Sequence, residues 1–216
     1  MGLAVSGQRS AISCQRQRSS WLVAEAEGGT MGKLVVFNFA TLNGYFEGPN
    51  HDIGWHRHGA EESAFSLEGL KTESILLFGR VTYHMMVSWW PTPAALNSMP
   101  EVAKGMNDAE KIVFSRTLKK AEWNNTRILT GNIGEEVRKL KTTSGKDLTI
   151  LGSGSIAAQL TELGLIDEYQ IMIDPVVLGQ GTTMFKGIKQ KLDLKLTGTR
   201  TFKSGVVLLS YQPLEK

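Results

Sequence analysis

The sequence predicts a three-layer α/β domain: a mixed, mostly parallel central sheet, helices on both faces and a C-terminal antiparallel β-hairpin. Three observations carry this expectation. From residue 31 onward, short apolar β-rich runs alternate with stretches of helical period. Two of those runs end in glycine and pass directly into a helix, the grammar of parallel β–α units. From Glu168 to the end the pattern changes to strands separated by turns, which is how an antiparallel ribbon reads.

Taken in order, Lys33–Ala40 is an apolar strand, and Glu61–Leu70 is a helix with an acidic first turn and Ala64, Phe65 and Leu67 on a helical period. Ser74–Phe78 is a continuous apolar strand, followed after Gly79-Arg80 by a helix over Val81–Trp89 that Pro91 and Pro93 should stop. Lys111–Ser115 and Thr126–Leu129 read as strands and Gly134–Lys141 as a short charged helix. Asp147–Leu151 is a strand that runs through Gly152-Ser153-Gly154 into a helix over Ser155–Leu163, closed by Gly164. Glu168–Ile173, Leu192–Thr201 and Val206–Gln212 are strands, the last two joined by a turn at Lys203-Ser204-Gly205.

Composition bounds the function. A chain of 216 residues with 41% apolar and 21% charged residues suits one globular domain and excludes wholesale disorder. No apolar run approaches the roughly 18–20 residues needed to cross a bilayer, so no membrane span is expected. A net charge of +3, spread without a basic block, offers nucleic acid little attraction, and no nucleic-acid partner is expected. The one cysteine, Cys14, lies in the first thirty residues, so the rest of the chain has neither a disulfide nor a cysteine-ligated zinc site. A reducing cytoplasm fits that usage. Residues 1–30 are rich in Ser, Gln and Arg without hydrophobic period, and read as a disordered extension or as sequence ahead of a true start at Met31. The domain is therefore expected over 31–216.

Two strand-to-helix turns carry the candidate chemistry. In Phe78-Gly79-Arg80-Val81-Thr82 the glycine permits the bend, Arg80 offers a cation and Thr82 a hydroxyl in the first helical turn. In Leu151-Gly152-Ser153-Gly154-Ser155-Ile156 two glycines allow close backbone approach to an anion at a helix N-terminus. Either turn alone is weak, and neither completes the dinucleotide fingerprint. Together with Ser115-Arg116-Thr117 after a third strand, they point to a phosphate-bearing ligand.

In sequence order, Leu42-Asn43-Gly44-Tyr45, Phe78-Gly79-Arg80-Val81-Thr82-Tyr83, Phe114-Ser115-Arg116-Thr117-Leu118, Leu151-Gly152-Ser153-Gly154, Gly164-Leu165-Ile166-Asp167-Glu168-Tyr169 and Pro175-Val176-Val177-Leu178-Gly179-Gln180-Gly181 resemble the dihydrofolate-reductase-like family. Within it they are most similar to stand-alone relatives of the reductase domain of bacterial riboflavin biosynthesis. The resemblance covers residues 31–213. It implies an NADPH-dependent reductase in which Gly79, Arg80, Val81, Thr82, Ser115 and Arg116 take the adenosine 2′-phosphate and a neighbouring phosphate. Gly152, Ser153, Gly154, Ser155 and Ile156 would take the pyrophosphate. Arginine and hydroxyl donors suit a 2′-phosphate, where an NAD site places an acid on the ribose. The zinc deaminase half of the bifunctional riboflavin enzyme is absent, so the chain would perform at most the reduction.

On the substrate side the resemblance implies that Trp55, Glu61 and Phe65 occupy the places of a tryptophan, a helix-opening carboxylate and a phenylalanine one turn later. Glu61 and Phe65 keep the i, i+4 spacing of one helix face. A carboxylate there could bind the polar edge of a small heterocycle, and burial would raise its pKa and let it supply a proton. The alternative is that Glu61 and Glu62 complement the helix dipole and Phe65 is core. Asn43 stands where the family usually has Asp, at a position tied to structure or substrate binding. His51, His56 and His58 read as a solvated loop without metal, and Trp89-Trp90 as packing residues or a cleft wall. The expected protein is a cytoplasmic NADPH-dependent oxidoreductase acting on a pterin- or ribosylaminopyrimidine-like small molecule, and a homodimer by family analogy. The alternative is a non-catalytic nucleotide-binding module.

Overall fold

The computed structural model describes residues 31–214, so the expectation for residues 1–30 lies outside it. Among the described residues the expected strands and helices occur in order: β1 (Leu34–Thr41), β2 (Tyr45–Glu47), α1 (Ala60–Leu70), β3 (Ile75–Gly79), α2 (Arg80–Trp89), α3 (Pro93–Ser98), α4 (Pro100–Asp108), β4 (Lys111–Phe114), β5 (Thr126–Leu129), α5 (Ile133–Thr143), β6 (Leu148–Leu151), α6 (Gly154–Glu162), β7 (Glu168–Asp174), β8 (Thr182–Thr183), β9 (Leu194–Thr201) and β10 (Val207–Pro213), of which β2, β8, α3 and α4 are in addition to those expected. Eight strands form one sheet in the order β5-β4-β3-β6-β1-β7-β10-β9, and β2 pairs with β8 in a separate ribbon. From β5 to β7 every neighbour is parallel, and β10 alone runs against both of its neighbours. The sheet is thus mixed and mostly parallel, with the antiparallel hairpin at one edge.

Alternation along the strands divides the core. Leu34 and Val36 of β1, Leu148 and Ile150 of β6 and Tyr169 of β7 pack against Val137 and Leu140 of α5 and Leu160 of α6. On the other face Leu76 and Phe78 of β3 and Val113 of β4 meet Tyr83 of α2 and Val102 and Met106 of α4. Strands buried on both faces read as near-continuous apolar runs, which is why β3 and β4 were legible in sequence.

The sequence reading treats Pro91 and Pro93 as stops, and the structure shows that the chain turns and restarts. Pro93 and Pro100 occupy the first turns of α3 and α4, where a missing N–H costs nothing, and the Thr92 hydroxyl accepts from Ala95 N at 3.2 Å as the cap of α3. Lys111, fully buried at the start of β4, closes α4 by donating to the carbonyls of Met106, Asn107 and Ala109 at 2.9, 3.0 and 2.6 Å. No helix among the described residues is long and apolar enough to cross a membrane.

One feature of the register positions the site. β6 stops opposite Phe37, whereas β7 follows β1 on to Thr41, which pairs with Asp174. β1 and β7 therefore project about 13 Å beyond the end of β6, at roughly 3.3 Å per residue. The β6–α6 turn lies against this step.

Candidate active site at the carboxyl edge of the sheet

The three turns singled out in sequence follow β4, β3 and β6, which are consecutive neighbours in the sheet. Gly79, Arg80, Ser115, Arg116 and Gly152–Ser155 thus share one edge, the carboxyl end where α/β sheets collect ligands. Two hydroxyls expected to face a phosphate are already used. Ser153, buried and left-handed at φ 54°, accepts Gly79 N on its Oγ at 3.0 Å, and its own N–H donates to Thr82 Oγ1 at 3.1 Å. Ser153 and Thr82 therefore staple the β6 turn to the β3 turn. Ile156 also departs from expectation: its side chain is core and its N–H donates to the Ser153 carbonyl at 2.9 Å. Arg80, Val81, Ser155 and Arg116 are exposed and available to a ligand, whereas the partly exposed Ser115 accepts Thr117 N and Leu118 N on its hydroxyl at 3.2 and 3.0 Å. Gly152 has φ +61°, and a Cβ there would stand 3.1 Å from Thr82 Cγ2, so the turn needs glycine on both counts.

Beside these turns a cavity of about 690 Å³ runs along the sheet between α1 and α2. Its floor is the outward face of β1, and Phe65, Trp89 and Trp90 all line it. Phe65 meets Phe37 and Phe202 at 5.8 and 6.1 Å between ring centroids, one wall of an aromatic cluster.

The carboxylate in that wall is Glu62, not Glu61. Glu62 is 3% exposed, lines the cavity and is hydrogen-bonded to the Ser204 hydroxyl. A Cβ on Gly59 would stand 2.3 Å from Glu62 Oε2, so that glycine makes room for the acid. Glu61 points the other way and accepts from Lys203 N and Nζ at 2.9 and 3.1 Å. The Lys203 backbone N–H and ammonium hold the Glu61 carboxyl below its ordinary value, opposite to the rise expected from burial. The helix begins at Ala60, one residue before the predicted start, and neighbouring residues on a helix differ by about 100°.

Two further expectations change. Asn43 does not line the cavity. Its Nδ2 donates to the Leu178 carbonyl at 2.8 Å, and its Oδ1 accepts from Leu178 N at 3.2 Å and from Thr41 Oγ1 at 2.8 Å, tying the β1 end to the loop after β7. The amide serves both sides of this junction, its Nδ2 donating to a carbonyl that an ionised carboxylate could only face as another acceptor. Trp55 also lies outside the cavity, its indole N–H donating to the Asp52 carbonyl at 3.1 Å.

The loop histidines are not simply solvated. His56 Nδ1 and Asp174 Oδ2 lie 2.7 Å apart with both side chains buried, and Asp174 Oδ1 accepts Arg57 N at 2.9 Å. The His56 ring stacks on Phe39 at 3.5 Å, and His58 stands edge-on to it at 4.4 Å. Burial and the neighbouring His56 push the His58 imidazole below its ordinary value. Both histidines line the cavity. The sequence carried no local signal for this pair, because its members are 118 residues apart. No cluster of three or more His, Cys, Asp or Glu suited to a metal occurs among the described residues.

A family model described as the RibD C-terminal domain matches residues 32–208. The uncharacterised protein YyaP of Bacillus subtilis is 35% identical over 179 residues, covering 83% of this chain and 94% of its own. A Shewanella protein provisionally named for riboflavin biosynthesis superposes with a TM-score of 0.67 at 18% identity, covering 85% of this chain and 99% of that one. The Thermotoga maritima diaminohydroxyphosphoribosylaminopyrimidine deaminase/5-amino-6-(5-phosphoribosylamino)uracil reductase gives 0.61 at 14% identity, over 85% of this chain and 57% of that one. Dihydrofolate reductase of Enterococcus faecalis, solved with NADP(H), gives 0.58 at 16% identity, over 86% and 98%. The fold is therefore that of dihydrofolate reductase, and the chain belongs to the RibD C-terminal domain family.

Proposed function

We propose that the chain is an NADPH-dependent reductase that delivers hydride to a C=N or carbonyl group of a pterin- or aminopyrimidine-like heterocycle. The observation that carries this reading is the step beside β6. It sets three anion-competent turns next to an apolar cavity whose wall holds one buried carboxylate. The residues present fit the cofactor. Gly152 keeps the backbone open to close approach, Arg80 and Arg116 are exposed cations on adjacent turns, and no acid stands on either turn to repel a 2′-phosphate.

When bound, the nicotinamide supplies the hydride. The chain's own residues do the rest. Arg80, Ser115 and Arg116 read the 2′-phosphate, while the Gly154 and Ser155 N–H groups that open α6 and the Ser155 hydroxyl face the pyrophosphate. The aromatic floor and roof exclude water and orient the ring. Glu62 takes the place expected of Glu61, binding a polar edge of the heterocycle or relaying the proton that balances the hydride. Asn43, which motivated the non-catalytic alternative, is accounted for by its bonds to Leu178.

Titration of NADPH and NADH by cofactor fluorescence tests the reading. Arg80→Ala should weaken NADPH by about 1.5–3 kcal/mol and leave NADH nearly unchanged; equal losses for both would sink the assignment. A homodimer belongs to the same proposal. The outer edge of β9 is unpaired among the described residues and Leu194 and Leu196 are exposed on it, so a monomeric mass by light scattering at micromolar concentration would remove the idea.

A further inference from the structure

We propose that the substrate of this cavity is a neutral or cationic heterocycle with an apolar extension, and that it carries neither phosphate nor carboxylate. This rests on the reductase reading and narrows it. The floor is built by alternate residues of β1, Val35, Phe37 and Phe39, with Lys33 at the far mouth. From Lys33 to Phe39 is roughly 20 Å of strand, long enough for a ring at the Glu62 end and a substituent beyond it. Phe65 and Leu70 from α1 and Met85 from α2 face that floor.

The charges decide the class. No arginine lines the cavity, and its one lysine, Lys33, shares the far mouth with Asp147 and Glu168. Lys33 N also donates to Asp147 Oδ1 at 2.7 Å. Glu62 stands in the wall near the other end. Away from the cofactor turns, whose Val81, Thr82, Gly152 and Ser153 reach the cavity's margin, a phosphate or carboxylate would lose its hydration and meet no guanidinium, while His51 and His56 are already paired with Glu47 and Asp174. Three cations beside this wall are engaged outside it. Arg57 donates to the Ser204 carbonyl at 2.7 Å, Lys203 pairs with Glu61, and the Arg200 guanidinium lies 5.6 and 5.0 Å from the Phe65 and Phe202 rings and 3.7 Å from Glu68. The exposed arginines of the molecule's anion-binding edge, Arg80 and Arg116, belong to the cofactor turns. A phosphoribosyl pyrimidine or a glutamate-tailed pteridine would find a single ammonium, that of Lys33 with two carboxylates beside it, and no guanidinium in this cavity.

Two ligand pairs that share a ring and differ in charge test this: 6-methylpterin against folate, and lumichrome against flavin mononucleotide. Each is titrated calorimetrically into the full chain, with and without saturating NADP+. The uncharged member of each pair should bind at least about tenfold more tightly. Equal or tighter binding of the anionic member, or no binding of either uncharged member at millimolar concentration, overturns the proposal. Two variants place the effect in the cavity. Gln170, opposite Phe37 in the β1–β7 ladder, lines the wall, so Gln170→Arg should reduce the preference to a few-fold by supplying the missing cation. Ser66→Trp should fill the space and abolish binding of the uncharged ligands while NADP+ binding persists. If neither variant changes the preference, the ligands sit elsewhere and the proposal fails. Absence of NADP+ binding beside a clear preference for uncharged ligands would sink the reductase reading and leave the ligand class standing; the reverse pattern would do the opposite.

Discussion

The ends of β4, β3 and β6 and the ends of β1 and β7 lie along one edge of one sheet, yet they are built by different means. On the first side the geometry is set locally: glycine turns, helix N-termini and a Ser153–Thr82 staple whose members lie in two adjacent turns. On the second it resides in side chains that meet from far apart: Asp174 with His56, Glu62 with Ser204, Phe65 with Phe37 and Phe202. Backbone sites tolerate a change of neighbouring side chains so long as glycine and turn geometry persist. Side-chain sites depend on which residue of a helix faces inward, and a shift of one position replaces the group in the wall.

That contrast is sharpest at the acidic pair. Glu62→Gln should lower the rate of the reduction by roughly 10²–10⁴-fold with NADPH affinity unchanged, whereas Glu61→Gln should leave the rate within about twofold. Equal effects from the two would erase the distinction between inward and outward positions. Next in size, Asp174→Ala leaves the His56 Nδ1 and Arg57 N groups without their partner in a buried site. It should cost about 3 kcal/mol, a fall in Tm of roughly 6–12 °C, while NADPH still binds. Loss of NADPH affinity in that variant would show that the two sides are one unit.

On the backbone side, Gly152→Ala forces a side chain onto a positive φ and against Thr82, and should cost about 1–2 kcal/mol by denaturant titration and weaken NADPH. The smallest effect concerns pH. Because the His58 pKa is lowered in the folded protein, the unfolded chain takes up that proton first as pH falls below the ordinary histidine value of 6.5. Stability should decline from there through the folded pKa, and His58→Gln should flatten the Tm profile between about pH 7 and 5. An unchanged profile would show that His58 carries none of that dependence.

How much was legible follows the same division. The turns at Gly79 and Gly152 stand out because glycine after an apolar strand is a local pattern, the Ser115 turn because Ser-Arg-Thr follows an apolar run, and the hairpin at Lys203–Gly205 is equally clear. That the three turns follow neighbouring strands was invisible, since strand order is not written in any one segment. Pro93 reads as a stop in sequence because a proline's role as a helix opener depends on a cap such as Thr92 and on the packing of Ala95 behind it. Glu61 and Glu62 are indistinguishable in charge and propensity, and only the start of α1 at Ala60 decides between them. Asn43 was weighed as a missing carboxylate because its partner Leu178 is 135 residues away.

The place of β1 in the sheet also governs the order in which the protein can be made. Val36 lies between Ile150 and Tyr169, so the first strand of the described residues to leave the ribosome is a central one whose neighbours are encoded more than a hundred residues later. At roughly 5–20 residues per second, several seconds separate its synthesis from that of either partner. Through that interval its apolar run Leu34–Phe37 has no ladder to join, and closure of the sheet must wait for β6 and β7. Folding of this domain is thus a late event in translation, and the interval before it is when the nascent chain most needs a chaperone's cover.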